Sequence, residues 1–401
     1  MPLALYPSSL LTNINLLSVI FTMGYVRVII QFVCAENAKL QKIHLNKLFF
    51  VLLRNMEEAT YNKAKMPLVG MTLAGLQDVV ASLGMPRFTA KQLAEWIYVH
   101  RATSFDEMNN ISKANRTRLQ ESFTLGLEAP VKEQRSVDGT AKYLFDVGDG
   151  QAVESVMIPD DDRATLCISS QKGCRMNCYF CMTGKQGFHG HLTANQIINQ
   201  VLSVPESSQL TNVVFMGMGE PMDNLDAVMQ AIEVMTAPWG LAWSPKRITV
   251  SSIGKLRELQ RLVEETHVHI AISVHSPFHS ERAGIMPVEN AYPIHKVMQM
   301  LSHYDFAHQR RLSVEYIMFN GLNDDLEHAQ ALEALLDGQP IRVNLIRFHA
   351  IPGVKLQTSN EQRMTAFRDY LNSRGIICTI RRSRGEDIFA ACGMLAGKNK
   401  K

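Results

Sequence analysis

The sequence feature that most restricts the fold is a regular alternation of β-rich segments and helical stretches after residue 160. The β-rich segments are LCISS (166–170), NVVFMG (212–217), RITVSS (247–252), HIAISVH (269–275), LSVEYIMF (312–319) and RVNLIRF (342–348). Strands that are separated by helices pair in parallel, and the helices cover the faces of the sheet. The sequence therefore predicts an α/β fold in which six βα units form an open or closed barrel.

The sequence before and after the predicted barrel indicates smaller domains and segments. From residue 73, apolar residues recur every three or four positions, which predicts a helix. A Gly-Met-Pro break follows, and a second helix is predicted to start near Thr89. Around VDGT and VGDGQ the pattern is typical of short strands joined by Asp-Gly turns. A seventh β-like stretch, IICTIRR, occupies 376–382. We expect five divisions: an extension (1–65), a small N-terminal helical domain (66–129), a β connector (130–160), the barrel core (161–365) and a C-terminal segment (366–401).

The N-terminal extension is unlike the rest of the chain. Residues 10–34 are strongly apolar, so a membrane anchor or signal is one interpretation. Arg27 lies inside this run, and no basic region or small-residue cleavage site accompanies it. We expect instead that residues 1–65 are an atypical extension, either not translated or disordered, with translation beginning at Met66 or Met71.

Cysteine content and charge restrict the compartment and the partners. Seven cysteines without disulfide spacing are typical of a reducing compartment, where thiols serve metal or redox chemistry. We therefore expect a cytoplasmic protein that does not contact a membrane. A net charge of +3 does not by itself indicate nucleic-acid binding, because ordinary enzymes often carry such a charge.

Three of the cysteines stand close together in CRMNCYFCMTGKQGF, at Cys174, Cys178 and Cys181. Three thiolates with a fourth ligand from His189 or His191 would make a structural zinc site, although the spacing is not the usual C-x2-C pair. Three thiolates on a 4Fe–4S cluster would leave one iron open for a small cofactor. Both interpretations stay open on the spacing alone.

Polar residues follow the predicted ends of several strands. Gly219 and Glu220 in GMGEP follow the second strand, Ser251 ends the third, and Ser273 and His275 end the fourth. Each alone is more typical of a glycine turn or a hydrogen-bonded strand end than of a ligand. Active sites of βα barrels are built at the carboxyl ends of the strands, so their convergence on one rim favours a site there.

The C-x3-C-x2-C motif with Phe180 before its last cysteine resembles the signature of radical S-adenosylmethionine (SAM) enzymes. The resemblance extends from about residue 72 to 397 and narrows to the RlmN/Cfr family of RNA adenine methyltransferases. It rests on RATLCISSQKGC, TNVVFMGMGEP, ITVSSIG, SVHSPF, MPVEN, VEYIMFNGLND and RGEDIFAACG, in the family's order. This resemblance implies a partial (βα)6 radical SAM barrel.

The same resemblance implies the cofactors and their ligands. One 4Fe–4S cluster would be held by Cys174, Cys178 and Cys181, with SAM on its open iron. SAM would be lined by Gly219, Glu220, Ser251, Ser273, Val274, His275 and His349. His349 stands where the family usually has asparagine, and Asn344 in the same strand is an alternative contact. Neutral histidine still donates one hydrogen bond.

Three further residues acquire catalytic roles through the resemblance. Cys392 would be methylated by one SAM, and a second SAM would give the radical that activates this methyl group, so each methylation consumes two. Glu154 would remove the ring proton, and Cys167 would release the adduct through a transient disulfide bond. From the residues alone, Cys392 and Cys167 are small buried thiols and Glu154 is a surface carboxylate near a turn.

The resemblance also implies the partners. The substrates would be an adenosine of 23S rRNA and the adenosine beside the tRNA anticodon, methylated at C2, with flavodoxin or ferredoxin as the electron donor of a monomeric enzyme. GKQGF (184–188) and SRGED (383–387) favour C2 over the Cfr-type C8 reaction that gives antibiotic resistance. Arg381, Arg382 and Arg384, with the basic helical domain, are candidates for contacting phosphates. A non-enzymatic zinc or RNA-binding protein is the alternative from another class.

Overall fold

The structure is a computed structural model, and it divides the chain into two compact units, Met1–Ala64 and Lys65–Lys401. It describes residues 20–22, 25–27, 65–308, 310–336 and 338–397. In the first unit the described residues form strands β1 (Ile20–Thr22) and β2 (Tyr25–Arg27), which pair antiparallel. Most of the apolar run from 10 to 34 lies outside the described residues. Within those ranges no helix is long and apolar enough to cross a membrane.

The second unit begins with a small helical module. Its elements are β3 (Met66–Pro67), α1 (Leu73–Ser82), α2 (Thr89–Ala94), a π-helical turn (Glu95–Val99), α3 (Lys113–Ser122) and β4 (Phe123–Thr124). The second helix starts at Thr89, as predicted. The buried Tyr98 hydroxyl accepts from the Gly70 N–H (3.0 Å) and donates to the Met71 carbonyl (2.9 Å), which fixes the entry into α1.

The remaining strands and helices alternate along the chain. The strands are β5 (Lys132–Arg135), β6 (Ala141–Asp146), β7 (Ala152–Asp160), β8 (Arg163–Cys167), β9 (Gln171–Gly173), β10 (Phe188–His191), β11 (Asn212–Phe215), β12 (Ile248–Ser252), β13 (His269–Ser273), β14 (Leu312–Met318), β15 (Ile341–Arg347) and β16 (Cys378–Ile380). The helices are α4 (Met182–Lys185), α5 (Ala194–Leu202), α6 (Leu225–Thr236), α7 (Leu256–Glu265), α8 (His279–Ile285), α9 (Ile294–Leu301), α10 (Leu326–Leu336) and α11 (Glu361–Ser373).

Ten of the strands form one sheet, in the order β16-β15-β14-β13-β12-β11-β8-β7-β6-β5. All neighbours from β8 to β16 are parallel, whereas β5, β6, β7 and β8 pair antiparallel. The predicted α/β fold is confirmed, and the sheet is open, with β5 and β16 at its edges. The stretch predicted as a connector continues the barrel sheet, and the seventh β-like stretch supplies β16 as a further parallel strand.

Local sequence explains where these elements begin. The predicted capping box before α5 is present: the Gln196 N–H donates to Thr193 Oγ1 (3.2 Å), and the Thr193 N–H donates to Gln196 Oε1 (3.0 Å). The side chains of Ile197 and Ile198 on this helix are fully buried against the sheet. Strands β13 and β14 are buried along nearly their whole length, as a parallel sheet covered by helices requires.

A polar network supports the loop that follows β13. His328 on α10 lies between two carboxylates, with Nδ1 2.7 Å from Asp325 Oδ1 and Nε2 2.8 Å from Glu281 Oε2. Glu281 also accepts a hydrogen bond from Ser276 Oγ (2.8 Å). Burial alone would lower the pKa of His328, but the two carboxylates outweigh burial and hold this pKa above its ordinary value. The protonated ring therefore ties α8 and α10 to the loop.

We predict that this network makes stability depend on pH. Because the pKa of His328 is raised by folding, its contribution is complete below the unfolded pKa of about 6.5 and is lost as pH rises through the folded value. His328→Gln should lower Tm most near about pH 6 and progressively less toward about pH 8.5. Thermal unfolding followed by circular dichroism checks this, with the exposed His295→Gln as control. A Tm difference that grows with pH contradicts the assignment.

Candidate active site

The carboxyl ends of the parallel strands bring the predicted site residues to one rim. Ser251 is the second-last residue of β12 and lies opposite Ala271 of β13. Ser273 ends β13 and lies opposite Glu315 of β14. Val274 follows directly and is fully buried. The structure therefore places these strand-end residues at one rim of the sheet.

The three-cysteine loop is enclosed by the antiparallel β9–β10 hairpin, and the Cys174 N–H donates to the Gly187 carbonyl (2.9 Å). Cys174 and Cys178 are buried and Cys181 is half-buried. Burial raises the pKa of Cys174 to about 12, with smaller contributions from the Glu220 charge and then the Cys181 charge. Burial and the two neighbouring thiols also raise the pKa of Cys178. The three thiols therefore lie in one pocket, and Cys174 and Cys178 keep their protons until a cation compensates their charge.

An apolar cluster backs this pocket. The Phe180 ring packs 5.6 Å from the Phe319 ring, and Cys178 and Ile317 belong to the same buried cluster. Such a floor excludes water from the thiols. Two buried thiols and one half-buried thiol in an apolar-backed pocket fit an iron–sulfur cluster.

The two histidines weighed as a fourth zinc ligand have other contacts. His189 Nε2 lies 3.0 Å from the Gln186 carbonyl, and His191 Nδ1 lies 3.1 Å from Gln171 Nε2. Within the described part of the chain, no three Cys, His, Asp or Glu side chains form a group that could hold a single metal ion. The contacts of the histidines favour the cluster interpretation over a four-ligand zinc site.

Glu220 lies beside the cysteine pocket as a buried carboxylate. It accepts hydrogen bonds from the Met222 N–H (3.2 Å), Ser252 Oγ (2.8 Å) and the Ile253 N–H (3.1 Å). Burial nevertheless raises the pKa of Glu220 to about 7. An ammonium group bound here would return the carboxylate to its ionised form, which is the role expected for it toward SAM.

Gly219 must be glycine in this arrangement. Its φ is +104°, and a Cβ would lie 2.6 Å from Gln171 Cβ. The loop after β11 can therefore approach β9 closely only without a side chain at this position. The close approach lets Gln171 Oε1 accept from the Glu220 N–H (2.8 Å), which fixes the backbone at Glu220.

His275 is held as a neutral ring. It has φ +59° and is buried, and its Nδ1 accepts the Ile317 N–H at 3.0 Å. Burial, aided by the Arg282 charge, lowers the pKa of His275 to about 3. Because Nδ1 is an acceptor, the ring proton resides on Nε2. The ring stands edge-on to Phe180 at 4.8 Å, between β13 and the cysteine loop.

Arg282 is a residue that sequence reasoning missed. It is fully buried and pairs with Glu289, also fully buried. The guanidinium donates to the carbonyls of Val274 (3.0 Å), Ser273 (2.9 Å) and Ile253 (3.1 Å). It thereby fixes the ends of β12 and β13. The signal was present, because an arginine lies shortly before MPVEN, but a surface position is the usual expectation for arginine.

His349 and Asn344 occupy different surroundings. His349 is buried with Nδ1 3.4 Å from Glu386 Oε1. Asn344 donates to Glu315 Oε1 (2.8 Å) and accepts from Thr379 Oγ1 (3.1 Å). Asn344 is thus committed to protein partners, while His349 connects the loop after β15 to the C-terminal segment.

We use the name C-terminal strap for residues 385–397, which carry Cys392. The Met182 N–H donates to the Gly393 carbonyl (2.7 Å), and Thr183 Oγ1 donates to the Leu395 carbonyl (2.8 Å). Both donors belong to the helix that follows the cysteine loop. The strap therefore brings Cys392 to the mouth of the barrel beside the three-cysteine pocket.

Cys392 is accessible to solvent within this mouth, so its interpretation as a small buried residue is wrong. The surrounding protein and the Glu315 charge raise the pKa of its thiol. Cys167 ends β8 and is buried; burial and then the Cys392 charge raise its pKa. The two sulfurs thus lie within electrostatic range of each other. All six described cysteines are free thiols, and protonated thiols resist premature disulfide formation.

Glu154 is not the surface carboxylate near a turn that its local sequence indicated. It lies on β7 and is 5% exposed. Its Oε1 is 3.2 Å from Lys142 Nζ, and its Oε2 accepts the N–H groups of Ala396 (2.6 Å) and Gly397 (3.2 Å). The physical cause is that the strap, distant in sequence, covers the face of β7 that carries Glu154.

The basic residues proposed to contact phosphates are not equivalent. Arg381 and Arg382 are exposed on the loop after β16. Arg384 is half-buried, with its guanidinium 3.3 Å from Asp160. Two of the three arginines are therefore available to an anionic partner at the barrel mouth.

We predict that Arg282→Met strongly destabilises the protein. The change removes the buried cation that pairs with Glu289, which keeps only its contacts with His279 and the Ile294 N–H. It also removes the donor to three carbonyls, and the expected cost is about 3–5 kcal/mol. Urea unfolding of the metal-free protein measures this, with the exposed Arg257→Met as control. Adding Glu289→Leu should recover part of the loss. A single variant within about 1 kcal/mol of the parent would refute the role.

Comparisons with known proteins agree with this geometry. Residues 66–125 match the family described as ribosomal RNA large subunit methyltransferase N-terminal domain, and residues 168–332 match the radical SAM superfamily. A probable dual-specificity RNA methyltransferase RlmN of Parabacteroides distasonis is 58% identical over 332 residues, 83% of this chain and 97% of that protein. The dual-specificity RNA methyltransferase RlmN of Syntrophobacter fumaroxidans is 40% identical over 331 residues, 82% of this chain and 97% of that protein.

A solved structure supports the same assignment. The crystal structure of a radical SAM methyltransferase from Sphaerobacter thermophilus matches with a TM-score of 0.78 at 36% identity, covering 83% of this chain and 100% of that chain. The α/β radical SAM fold expected from the resemblance is confirmed. The chain therefore belongs to the RlmN family of radical SAM RNA methyltransferases.

Proposed function

We propose that this protein methylates C2 of one adenosine in 23S rRNA and of the adenosine beside the anticodon in tRNA. The observation that carries the proposal concerns three residues at the barrel mouth, beside the three-cysteine pocket. Cys392 and Cys167 lie within electrostatic range of each other, and the strap that carries Cys392 covers Glu154. A protein that only bound RNA would need none of the three. Relatives named dual-specificity RNA methyltransferases support the two substrate classes.

Membership of the radical SAM superfamily implies a 4Fe–4S cluster and SAM. We assign Cys174, Cys178 and Cys181 as the cluster ligands, because they share the dry pocket described above. The residues assigned to SAM are Gly219, Glu220, Ser251, Ser273, Val274, His275 and His349. When bound, these cofactors supply an electron and a 5′-deoxyadenosyl radical. A flavodoxin or ferredoxin would deliver the electron.

Cys392 suits the role of methyl carrier, because it is an exposed residue of the strap beside the three-cysteine pocket. Both adenine C2 and the methyl group of SAM are electrophilic, so direct transfer between them is unfavourable. Cys392 would first accept a methyl group on sulfur; loss of one hydrogen atom then gives a methylene radical that adds to C2. Two SAM molecules are consumed for each methylated base, one in each stage.

Glu154 and Cys167 would resolve the resulting adduct. The Glu154 carboxylate would take the C2 proton, and the adduct would return its unpaired electron to the oxidised cofactor that supplied the first electron, which leaves a closed-shell thioether adduct. The Cys167 sulfur gives up its proton as it attacks the Cys392 sulfur, and this proton is available to the methylene carbon. A disulfide bond forms, the bond from the Cys392 sulfur to the methylene carbon breaks, and its electron pair stays on carbon, which takes a proton to become methyl. An external dithiol must reduce this disulfide before the next turnover.

The test is to reconstitute the protein anaerobically with iron and sulfide and to incubate it with methyl-labelled SAM and an rRNA fragment or tRNA. We predict that the label appears at adenine C2. Cys392→Ala should abolish labelling, whereas Cys167→Ala should accumulate a covalent protein–RNA adduct. Cys378→Ala, at a buried cysteine of β16, is the matched control and should keep activity.

Other products decide between the alternatives. Label at C8 would assign the Cfr-type reaction, and a colourless zinc protein without turnover would assign the non-enzymatic class; either result overturns the proposal. The ratio of S-adenosylhomocysteine to 5′-deoxyadenosine gives a second check. The proposed route predicts equal amounts of both products for each methylated base.

A further inference from the structure

The surroundings of Glu154 are more elaborate than a proton acceptor at a solvent-exposed site would need. The side chains of Glu154 and its partner Lys142 are 7% and 9% exposed. Burying a charged pair carries a large desolvation cost, which good geometry and additional hydrogen bonds offset. Glu154 has both, because two backbone N–H groups of the C-terminal strap satisfy its second oxygen.

Lys142 contacts both the carboxylate and the strap. Its Nζ lies 3.2 Å from Glu154 Oε1 and donates to the carbonyl of Phe389 at 3.3 Å. Phe389 and Ala396 lie on opposite sides of Cys392 in the chain. The same ammonium group therefore joins the base to one side of the strap, while the base itself binds the other side.

The end of the strap fits β7 closely. Gly397 has φ +57°, and a Cβ at this position would lie 2.3 Å from the Ala152 carbonyl oxygen, two residues before Glu154. A side chain here cannot be accommodated without moving the strap or the strand. The contact of the strap with Glu154 thus depends on the absence of a Cβ at Gly397.

We propose that Lys142 and the N–H groups of Ala396 and Gly397 are positioning groups for Glu154, so that the base is oriented only while the strap that carries Cys392 is docked. The inference rests on the proposed function, in which Glu154 takes the C2 proton. Docking of the strap therefore places the methyl carrier and orients the base in one event. The ammonium group and the two amides fix the direction of the carboxylate until the proton arrives.

The first test replaces Lys142 in the full-length reconstituted enzyme. Lys142→Met should raise the ratio of covalent Cys392–RNA adduct to methylated product at least about tenfold, the size expected for loss of a positioned base. Methylation of Cys392 and formation of 5′-deoxyadenosine should continue. Lys142→Arg keeps a cation at this position and should restore most of the product. Denaturing gels and mass spectrometry measure all three species.

A merely structural role for Lys142 gives a different pattern. It would reduce methylation of Cys392, 5′-deoxyadenosine and product together, without raising the proportion of adduct, and this result would overturn the inference. Glu154→Gln is the reference. If Glu154→Gln does not accumulate adduct, the proposed function of Glu154 fails. If Glu154→Gln accumulates adduct but Lys142→Met does not, only the present inference fails.

The second test uses the strap without changing any charged group. Gly397→Ala should raise the adduct ratio as Lys142→Met does. Gly375→Ala is the matched control, because Gly375 also has positive φ (+79°) but open space around its Cβ position. Hydrogen exchange of the metal-free protein gives a readout independent of turnover: Glu154→Ala should speed exchange at residues 393–397. Unchanged exchange would contradict the contact between base and strap.

Discussion

A parallel sheet collects the carboxyl ends of its strands at one edge, and the whole site depends on this constraint. The seven parallel strands from β8 to β16 bring the cysteine loop, the glycine loop with Glu220 and the end of β13 to the same rim. None of these segments is close to the others in sequence. The register of the strands, fixed by their buried apolar side chains, therefore determines which polar groups meet.

Buried charge is the second organising feature of the molecule. Arg282 pairs with Glu289, Lys142 pairs with Glu154, and Glu220 accepts three hydrogen bonds. Each arrangement fixes backbone or side-chain geometry near the barrel mouth, where radical chemistry requires defined positions. The desolvation cost of these charges is offset locally by their ion pairs and hydrogen bonds.

The sequence was sufficient to predict the parts of the fold that depend on local pattern. The strands, the capping box at Thr193 and the rim position of Ser273 follow from periodicity and turn chemistry. The burial of Glu154 could not be predicted this way, because its partner Ala396 is 242 residues distant. Arg282 was missed for a similar reason. Its guanidinium donates to backbone carbonyls at the ends of two separate strands, and no local sequence pattern reveals such contacts.

The central claim is that the methyl group passes through Cys392 before it reaches adenine. SAM with a trideuterated methyl group tests this directly, when it is supplied to reconstituted enzyme whose Cys392 carries no methyl group at the start. Our account predicts a product methyl group with two deuterium atoms and 5′-deoxyadenosine with one, because a hydrogen atom leaves the carrier methyl and a solvent proton later replaces it. A product that keeps all three deuterium atoms would show direct transfer and contradict the account.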